Sequence, residues 1–299
     1  MIKKQIAVIG LSGISIFLKI DHFHKAQETI LSDAFHLEAG GKGYNQAIAI
    51  SRFGGNVEYL SATGDDIFSD ICQDTLTNNN INSALIKKKG KTALAAIQIN
   101  KKGENRVTVA LGSQLEKDDV DSFKVSIRKS EYLLLQFEVP YEVNKRAIEI
   151  AREYNVKVII NPAPMNVEYI DLIKDAWLIT PNEYEAKEMF GLDLFSSIQD
   201  LKEAIIKSNF KQMVITLGEK GSLVYINQSF TMVPSMKVQS INTTGAGDIY
   251  NAGLVYALSA GKDLITACQY ATVAAGLSVS KEYVLDSIPT WQEIEKTMH

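Results

Sequence analysis

Residues 242–258 read NTTGAGDIYNAGLVYAL, a glycine-rich turn followed by an apolar helical stretch. Gly245, Ala246 and Gly247 carry almost no side-chain bulk, so the free backbone N–H groups of the first helical turn can approach a phosphate. The helix dipole favours negative charge at the same place. Asp248 stands at the edge of this turn, where a carboxylate can accept a proton from an attacking hydroxyl. The segment predicts an anion-binding helix start with a candidate general base.

The same segment has a plainer interpretation. Thr243 or Thr244 is a suitable cap for the helix, and Asp248 would then only complement the helix dipole. Most helix starts of this kind are ordinary caps. A second feature that points to a ligand is therefore needed before the turn is assigned a chemical role.

Around this turn, short apolar runs alternate with amphipathic helical segments. The predicted strands are 6–9, 57–62, 132–136, 156–160, 177–180 and 213–217. The predicted helices are 43–53, 67–78, 141–154, 183–190, 198–208, 246–260 and 264–280. Such alternation indicates an α/β fold in which a mostly parallel sheet lies between layers of helices.

One region departs from the alternation and resembles consecutive strands. Its members are 84–88, 93–100 and 106–111, with 14–20 and 35–38 as further candidates. Consecutive strands indicate an antiparallel sheet. We expect a single domain over residues 1–299, with a lid formed by about residues 11–39 and 84–112 that covers a site or joins two copies of the chain.

The composition narrows the range of functions. The chain has 299 residues, of which 46% are hydrophobic, and its formal net charge is −4, so it offers no basic field for nucleic acid. No run of about 18 apolar residues is present to cross a bilayer. Cys72 and Cys268 are too few for a secreted disulfide scaffold and too far apart for a metal knuckle. We expect a cytoplasmic protein that binds neither nucleic acid nor a membrane.

A second glycine-rich segment, residues 39–47, reads AGGKGYNQA and also leads into a helix. It is not a P-loop, because the GxxxxGK[ST] spacing fails. Bare backbone at Gly40 and Gly41, beside the donors Lys42 and Asn45, suits a neutral polyhydroxylated molecule that needs several fixed hydrogen bonds. This segment therefore indicates a ligand different from the one at the first turn.

Together, the two glycine segments resemble the signature regions of the pfkB, or ribokinase-like, family of carbohydrate kinases, and within it the ribokinases. The resemblance continues in order through TGDD at 63–66, QFEVP at 136–140, NPAP at 161–164, TPNEYE at 180–185 and TLGEKG at 216–221. It covers nearly the whole chain. It implies a three-layer α/β/α core with a small β-sheet lid, and phosphate transfer from ATP to a hydroxyl of a small sugar or sugar-like acceptor. It also implies Mg²⁺ as a cofactor and a homodimer formed through the lid.

The resemblance assigns roles to individual residues. Asp248 becomes the catalytic base, and the backbone N–H groups of Gly245, Ala246 and Gly247 stabilise the transferred phosphate. The acceptor contacts are Gly13, Ser15, Gly41, Lys42, Asn45, Glu138 and Asp248. The nucleotide contacts are Asn182, Thr216, Gly218, Gly221 and Gly247, with residues 271–278 beside the adenine. Asn182 and Glu185 lie on one helix face and would organise Mg²⁺ through water, unless they form only a helix cap.

Three features depart from the family pattern. Ribokinases carry Asn and Asp after the first strand, and the Asp accepts hydrogen bonds from a vicinal diol. Gly13 and Ser15 stand at these two positions here. Those hydrogen bonds are therefore lost, and the assignment to ribose is weaker. Gly13 is expected to leave room for a bulkier acceptor. Asn242 replaces an Asp that binds a monovalent cation, and the loop 281–287 lacks the expected Gly-Ala pair. We therefore expect weak or absent activation by K⁺.

The residues leave two other functions open. One is a nucleoside or other small-alcohol kinase. The other is a catalytically silent sugar-binding or regulatory protein on the same scaffold, which the changes at Ser15 and Asn242 favour. An intact Asp248 beside an intact anion-binding turn favours an enzyme. Hydrolase chemistry is disfavoured, because no Ser, His and Asp order has a nucleophile-elbow context.

Overall fold

The computed structural model describes residues 4–208 and 210–298. The strands are β1 (Gln5–Ile9), β2 (Gly13–Lys19), β3 (Ala34–Gly40), β4 (Asn56–Thr63), β5 (Asn82–Lys87), β6 (Ala93–Ile99), β7 (Asn105–Ala110), β8 (Ser130–Gln136), β9 (Lys157–Asn161), β10 (Leu178–Ile179), β11 (Gln212–Thr216), β12 (Ser222–Ile226) and β13 (Ser229–Val233). The helices are α1 (Lys42–Arg52), α2 (Ile67–Asn78), α3 (Lys117–Ser122), α4 (Lys124–Lys129), α5 (Tyr141–Glu153), α6 (Ile170–Ile173), α7 (Glu183–Met189), α8 (Ile198–Lys207), α9 (Ala246–Ser259), α10 (Leu264–Ser278), α11 (Val284–Ser287) and α12 (Trp291–Met298). Each predicted core strand and helix has a counterpart whose ends differ by no more than two residues.

The described residues form a nine-stranded sheet in the order β13-β12-β11-β10-β9-β8-β1-β4-β5. The strands from β11 to β5 are parallel, whereas β12 and β13 are antiparallel to their neighbours. Alternate residues of β1 enter two different hydrophobic cores: Ile6 and Val8 pack on the side of α1, α9 and α10, and Ala7 and Ile9 pack on the other face. Burial on both faces explains the continuous apolar runs. The predicted parallel sheet between helical layers is confirmed.

Polar side chains gather at one edge of this sheet. The parallel strands β8, β9 and β11 end at Gln136, Asn161 and Thr216. Because the carboxyl ends of parallel strands meet at the same edge, these side chains lie near one another, where ligands commonly bind in such sheets. The turn before α9, which is predicted to bind an anion, lies at the same edge, because Gly247 and Thr216 line one cavity.

A second, four-stranded sheet has the order β3-β2-β6-β7 within the described residues. Strands β2 and β6 are parallel, and both outer pairs are antiparallel. Ser15 of β2 lies opposite Glu38 and beside Ala95, which lies opposite Val109, so one row of side chains crosses the whole sheet. This small sheet corresponds to the predicted lid.

The assignment of residues 84–88 to the lid is wrong. They belong to β5, which pairs in parallel with β4 at the edge of the large sheet, with Leu60 opposite Ala84. The physical reason is the connection, since α2 lies between β4 and β5 and a strand–helix–strand unit returns a strand parallel to the first. The lid strands therefore lie within residues 13–40 and 93–110.

The hairpin β12–β13 was missed in the sequence. Its turn contains Asn227 and Gln228, both with positive φ, at 50° and 62°. Two apolar runs separated by two such residues are a hairpin signal, because this backbone twist matches the twist of the flanking strands. The hairpin extends the large sheet beyond β11. Separately, no helix within residues 4–208 and 210–298 combines the length and apolar character needed to span a membrane.

Candidate active site

Two cavities meet at the turn before α9. The larger, of about 570 Å³, is lined on this side by Ala246 and Gly247. The smaller, of about 320 Å³, is lined by Gly245 and Asp248. The turn is therefore a partition between two binding spaces, and the Asp248 carboxylate belongs to the smaller one.

Gly245 gives this turn its shape. It is the N-cap residue of α9 and has φ of +76°, in the left-handed region that favours glycine. A Cβ atom built on it would lie 2.5 Å from Cγ1 of Val284. Among the described residues, no side chain caps this helix, so the plain capped helix is not what forms. The N–H groups of the first turn are left without a side-chain acceptor and suit an anion.

Two amides of α1 hold the Asp248 carboxylate. Asn45 Nδ2 donates to Oδ2 at 3.0 Å, and Gln46 Nε2 donates to Oδ1 at 3.1 Å. Asp248 is 7% exposed. Burial raises the pKa of Asp248 above its ordinary value, and Lys42 and the two amides limit that rise. The carboxylate is thus oriented, and each oxygen keeps a lone pair for a further donor.

Gln46 is the centre of a buried polar network that the sequence analysis missed. Its Nε2 also donates to Asn161 Oδ1 at 3.2 Å, and its Oε1 accepts from Gln136 Nε2 at 2.6 Å. The network continues from Asn161 Nδ2 to the Thr180 carbonyl, from Thr180 Oγ1 to Asn251 Oδ1 and from Asn251 Nδ2 to the Gly247 carbonyl. It therefore returns to α9 next to Asp248. Polar residues at the ends of apolar strands were the available sequence signal.

Lys42 and Glu138 also line the smaller cavity. The backbone N–H of Lys42 donates to Glu138 Oε2 at 2.6 Å. Burial raises the pKa of Glu138 to about 7, against the opposing effect of Lys42. For Lys42, burial lowers the pKa, but Asp248, Glu138 and Glu185 outweigh it and raise the pKa. Lys42 is therefore a stable cation among carboxylates.

The turn before α1 also requires glycine. Gly41 has φ of +123°, and a Cβ atom there would lie 2.2 Å from the carbonyl oxygen of Leu11. The loop after β1 and the start of α1 thus approach each other closely, which closes one side of the smaller cavity.

The structure brings together all the residues predicted to contact the acceptor. Gly13, Ser15, Gly41, Lys42, Asn45, Glu138 and Asp248 all line the smaller cavity. Ala95 and Val109 of the lid line it too, so the lid contributes an apolar wall. The expected extra room at Gly13 is not present, because a Cβ atom there would lie 2.6 Å from the carbonyl oxygen of Ala93.

Most of the predicted nucleotide residues line the larger cavity. These are Thr216, Gly218, Gly221 and Gly247, together with Thr272, Ala275 and Gly276 from the predicted adenine wall. The tyrosine ring of Tyr250 and the hairpin-following residues Ser235 and Met236 complete much of the lining. A cavity of about 570 Å³ that is lined by Ala246 and Gly247 has room for a nucleotide whose phosphates reach the turn.

Asn182 and Glu185 lie beside Thr216, with which Asn182 forms an isolated parallel bridge. They form a capping box for α7: Asn182 Oδ1 accepts from the N–H of Glu185 at 2.8 Å, and Glu185 Oε2 accepts from the N–H of Asn182 at 2.9 Å. Burial raises the pKa of Glu185. Within the described residues, no group of three or more His, Cys, Asp or Glu could hold a metal ion directly. Two side chains supply only a minority of the ligands of an octahedral metal ion, so water or phosphate would complete its coordination.

Asn242 links the turn before α9 to a distant loop. Its Oδ1 accepts from the N–H of Thr244 at 2.9 Å, and its Nδ2 donates to the carbonyl of Glu282 at 2.6 Å. A neutral amide thus occupies the place where the family pattern has a carboxylate, and its own hydrogen bonds connect the two segments.

Known proteins resemble this chain along nearly its whole length. Residues 3–291 match the model of the pfkB family carbohydrate kinases. Ribokinase from Haemophilus influenzae is 32% identical over 297 residues, covering 97% of both chains. Deoxyribokinase from Salmonella typhi is 28% identical over 299 residues, covering 98% of both chains. The crystal structure of ribokinase from Thermotoga maritima has a TM-score of 0.87 at 32% identity and covers 98% of both chains.

These matches agree with the resemblance seen in the two glycine segments and with the three-layer fold and separate small sheet. A match confined to the fold would leave the family undecided. Here the family model covers all the segments that build the two cavities. The chain belongs to the pfkB family of carbohydrate kinases.

Proposed function

We propose that this protein transfers the γ-phosphate of ATP to a hydroxyl of a small sugar or sugar-like molecule. The observation that carries the proposal is the partition between the two cavities, formed by an uncapped helix start with a buried, amide-held carboxylate on one side. ATP lies in the larger cavity with its phosphates at the turn, and the acceptor lies in the smaller cavity.

The chain's own groups account for the transfer. Asp248 accepts the proton of the acceptor hydroxyl as the oxygen attacks, and a base whose pKa is raised by burial takes a proton more readily. The N–H groups at the start of α9 and the Lys42 cation stabilise negative charge on the transferred phosphoryl group. The lid and the apolar wall of the smaller cavity exclude water that would otherwise compete with the acceptor.

We propose that Mg²⁺ accompanies ATP and is held through water by Glu185 and Asn182, whose side chains are already engaged in the α7 cap. When bound, Mg²⁺ neutralises part of the phosphate charge.

Because the enzyme uses ATP, we expect it to work in the cytoplasm. A homodimer through the lid is consistent with the outer strand β7, where Val107 and Val109 line the smaller cavity yet are each 53% exposed, so a partner would cover the open part of that wall.

The acceptor is identified by ADP release across a panel of D-ribose, 2-deoxy-D-ribose, D-xylose, D-fructose, D-gluconate and adenosine. Turnover with a sugar supports the proposal. Turnover with adenosine alone makes the protein a nucleoside kinase, and no turnover with any acceptor favours a silent binding protein. Because Ser15 is neutral and the lid wall is apolar, we expect kcat/KM for ribose to exceed that for 2-deoxyribose only slightly.

We expect Gln46→Leu to raise the pKa of Asp248, because losing a donor to a carboxylate disfavours its ionised form. The acid limb of the pH profile of kcat then moves to higher pH. A hydrogen bond to a charged group contributes about 1.5–3 kcal/mol, so kcat at a fixed pH within the acid limb is expected to fall by about 10- to 100-fold. Gln73→Leu, which removes side-chain bonds only to Thr77 and Ser83, is the control. An unmoved acid limb would contradict the role of Gln46.

The raised pKa of Glu138 predicts a second pH dependence, in kcat/KM for the acceptor. Since its pKa is raised to about 7, it is protonated below that pH and becomes a carboxylate above it. If the carboxylate holds the Lys42 N–H and the acceptor, kcat/KM for the acceptor falls as the pH is lowered from about 8 to about 6. Glu138→Gln keeps the shape without the charge, so kcat/KM is expected to be low throughout and to lack a limb near pH 7. A limb that stays at the same pH in the variant would refute this assignment.

We expect KCl to activate the enzyme little or not at all. The Asn242 amide donates an N–H to the Glu282 carbonyl at 2.6 Å, so a hydrogen bond already organises the loop that a cation would otherwise hold. Initial rates are compared in KCl and in tetramethylammonium chloride at equal ionic strength. A large, saturable rise specific to KCl would show that a cation site exists despite Asn242.

A further inference from the structure

Glu38 is a buried carboxylate that lies outside both cavities. It is 8% exposed and stands on β3, the lid strand that ends at Gly40, where the acceptor cavity begins. Within the described residues, the one basic side chain within 4.0 Å of it is His36, with Nε2 3.7 Å from Oε2. A buried carboxylate with so weak a cationic partner costs free energy, so its position requires an explanation.

Both oxygens of Glu38 accept backbone hydrogen bonds from a segment far away in sequence. The N–H of Val284 donates to Oε1 at 3.1 Å, and the N–H of Leu285 donates to Oε2 at 3.2 Å. Burial raises the pKa of Glu38 and these two donors oppose the rise. The carboxylate is therefore satisfied by main chain rather than by a charge.

The segment that Glu38 holds lies against the anion-binding turn. We call residues 282–285 the backing segment. A Cβ atom on Gly245 would lie 2.5 Å from Cγ1 of Val284, so this side chain packs directly on the glycine of the turn. The Glu282 carbonyl accepts from Asn242 at 2.6 Å. Movement of the backing segment therefore displaces the N–H groups that face the phosphate.

Other lid residues bind the same segment. The His36 ring stacks on Tyr283 with centroids 3.6 Å apart, and Phe17 meets the Tyr283 ring edge-on at 5.6 Å. Lys19 forms an exposed ion pair with Glu282. The backing segment thus contacts lid strands β2 and β3 on one side and the phosphate-binding turn on the other.

We infer that Glu38 is a positioning residue for phosphoryl transfer: it fixes the backing segment, and through Val284 it couples the lid strand at the acceptor cavity to the anion-binding turn at the ATP phosphates. The inference rests on the proposed function. An acceptor that orders the lid then also orders the turn, so acceptor and nucleotide each strengthen binding of the other, as thermodynamic linkage requires.

The test measures this coupling by calorimetry. The non-hydrolysable analogue AMP-PNP is titrated with MgCl₂ into the full-length protein, with and without a saturating concentration of the panel acceptor that turns over fastest. Couplings between sites commonly reach about 5- to 150-fold, and we expect the acceptor to tighten AMP-PNP binding within that range. In Glu38→Gln the factor should fall close to one and kcat should drop, while each ligand alone binds nearly as in the unaltered protein.

Glu282→Gln is the matched control. It makes the same chemical change within the segment that Glu38 binds, but it breaks only the exposed pair with Lys19, and exposed pairs contribute little. It should retain the coupling. Val284→Ala keeps the backbone hydrogen bonds to Glu38 but removes the side-chain contact with Gly245, so it too should lose the coupling. This variant tests the inference if Glu38→Gln does not fold. Coupling unchanged in either variant overturns the inference alone. No binding of AMP-PNP to the unaltered protein overturns the proposed function as well.

Discussion

Asp248→Asn is expected to lower kcat by about two to four orders of magnitude, the usual contribution of a positioned general base. Asparagine has nearly the same shape but cannot take a proton from the acceptor hydroxyl. It also presents an N–H₂ group towards Asn45 or Gln46, both of which donate to the carboxylate. ADP release at saturating ATP and acceptor measures the effect.

The control for this substitution is Asp263→Asn. Asp263 caps α10 by accepting from the N–H of Thr266, and asparagine caps a helix about as well as aspartate. Activity should therefore be unchanged, and thermal melts of both variants show whether the fold is intact. Turnover by Asp248→Asn equal to that of the control would remove the proposed mechanism.

Gly245→Ala is expected to lower kcat by about 100- to 1000-fold, the loss seen when donors to a developing charge are removed. Gly245 has φ of +76°, and the added methyl group would lie 2.5 Å from Cγ1 of Val284. Either the turn or the backing segment must move, and the N–H groups that face the phosphate move with it. The effect should appear in kcat more than in the KM of the acceptor.

Gly261→Ala separates backbone strain from displacement of the turn. Gly261 follows the other end of the same helix with φ of +84°, and a Cβ atom there would have no neighbour within 4 Å. The left-handed conformation alone destabilises a residue with a side chain by about 1–2 kcal/mol, so this variant should melt earlier yet keep its activity. Equal activity of Gly245→Ala and Gly261→Ala would show that the turn does not bind phosphate.

Local patterns in the sequence predicted most of the secondary structure and most of the residues that were assigned to the two cavities. The apolar runs and helical periodicity depend on neighbouring residues, so they are readable without the fold. The same holds for the two glycine turns, where small residues before a helix permit close approach of a ligand. Residues 84–88 show the limit of such patterns. They were correctly identified as a strand, but strand propensity does not say which sheet the strand joins.

What the sequence alone determined is therefore local: a glycine turn before α9, a carboxylate beside it, and a second turn suited to a polyhydroxylated ligand. Only the tertiary structure decided how distant residues meet. It placed Gln46 against Asp248 across 202 positions and Glu38 against Val284 across 246. The residues that neighbour Gln46 and Glu38 in the sequence do not reveal these roles, because each role depends on a contact with a residue that is distant in the sequence. The geometry of the site depends on those long-range contacts, which exist only once the large sheet and the lid have formed.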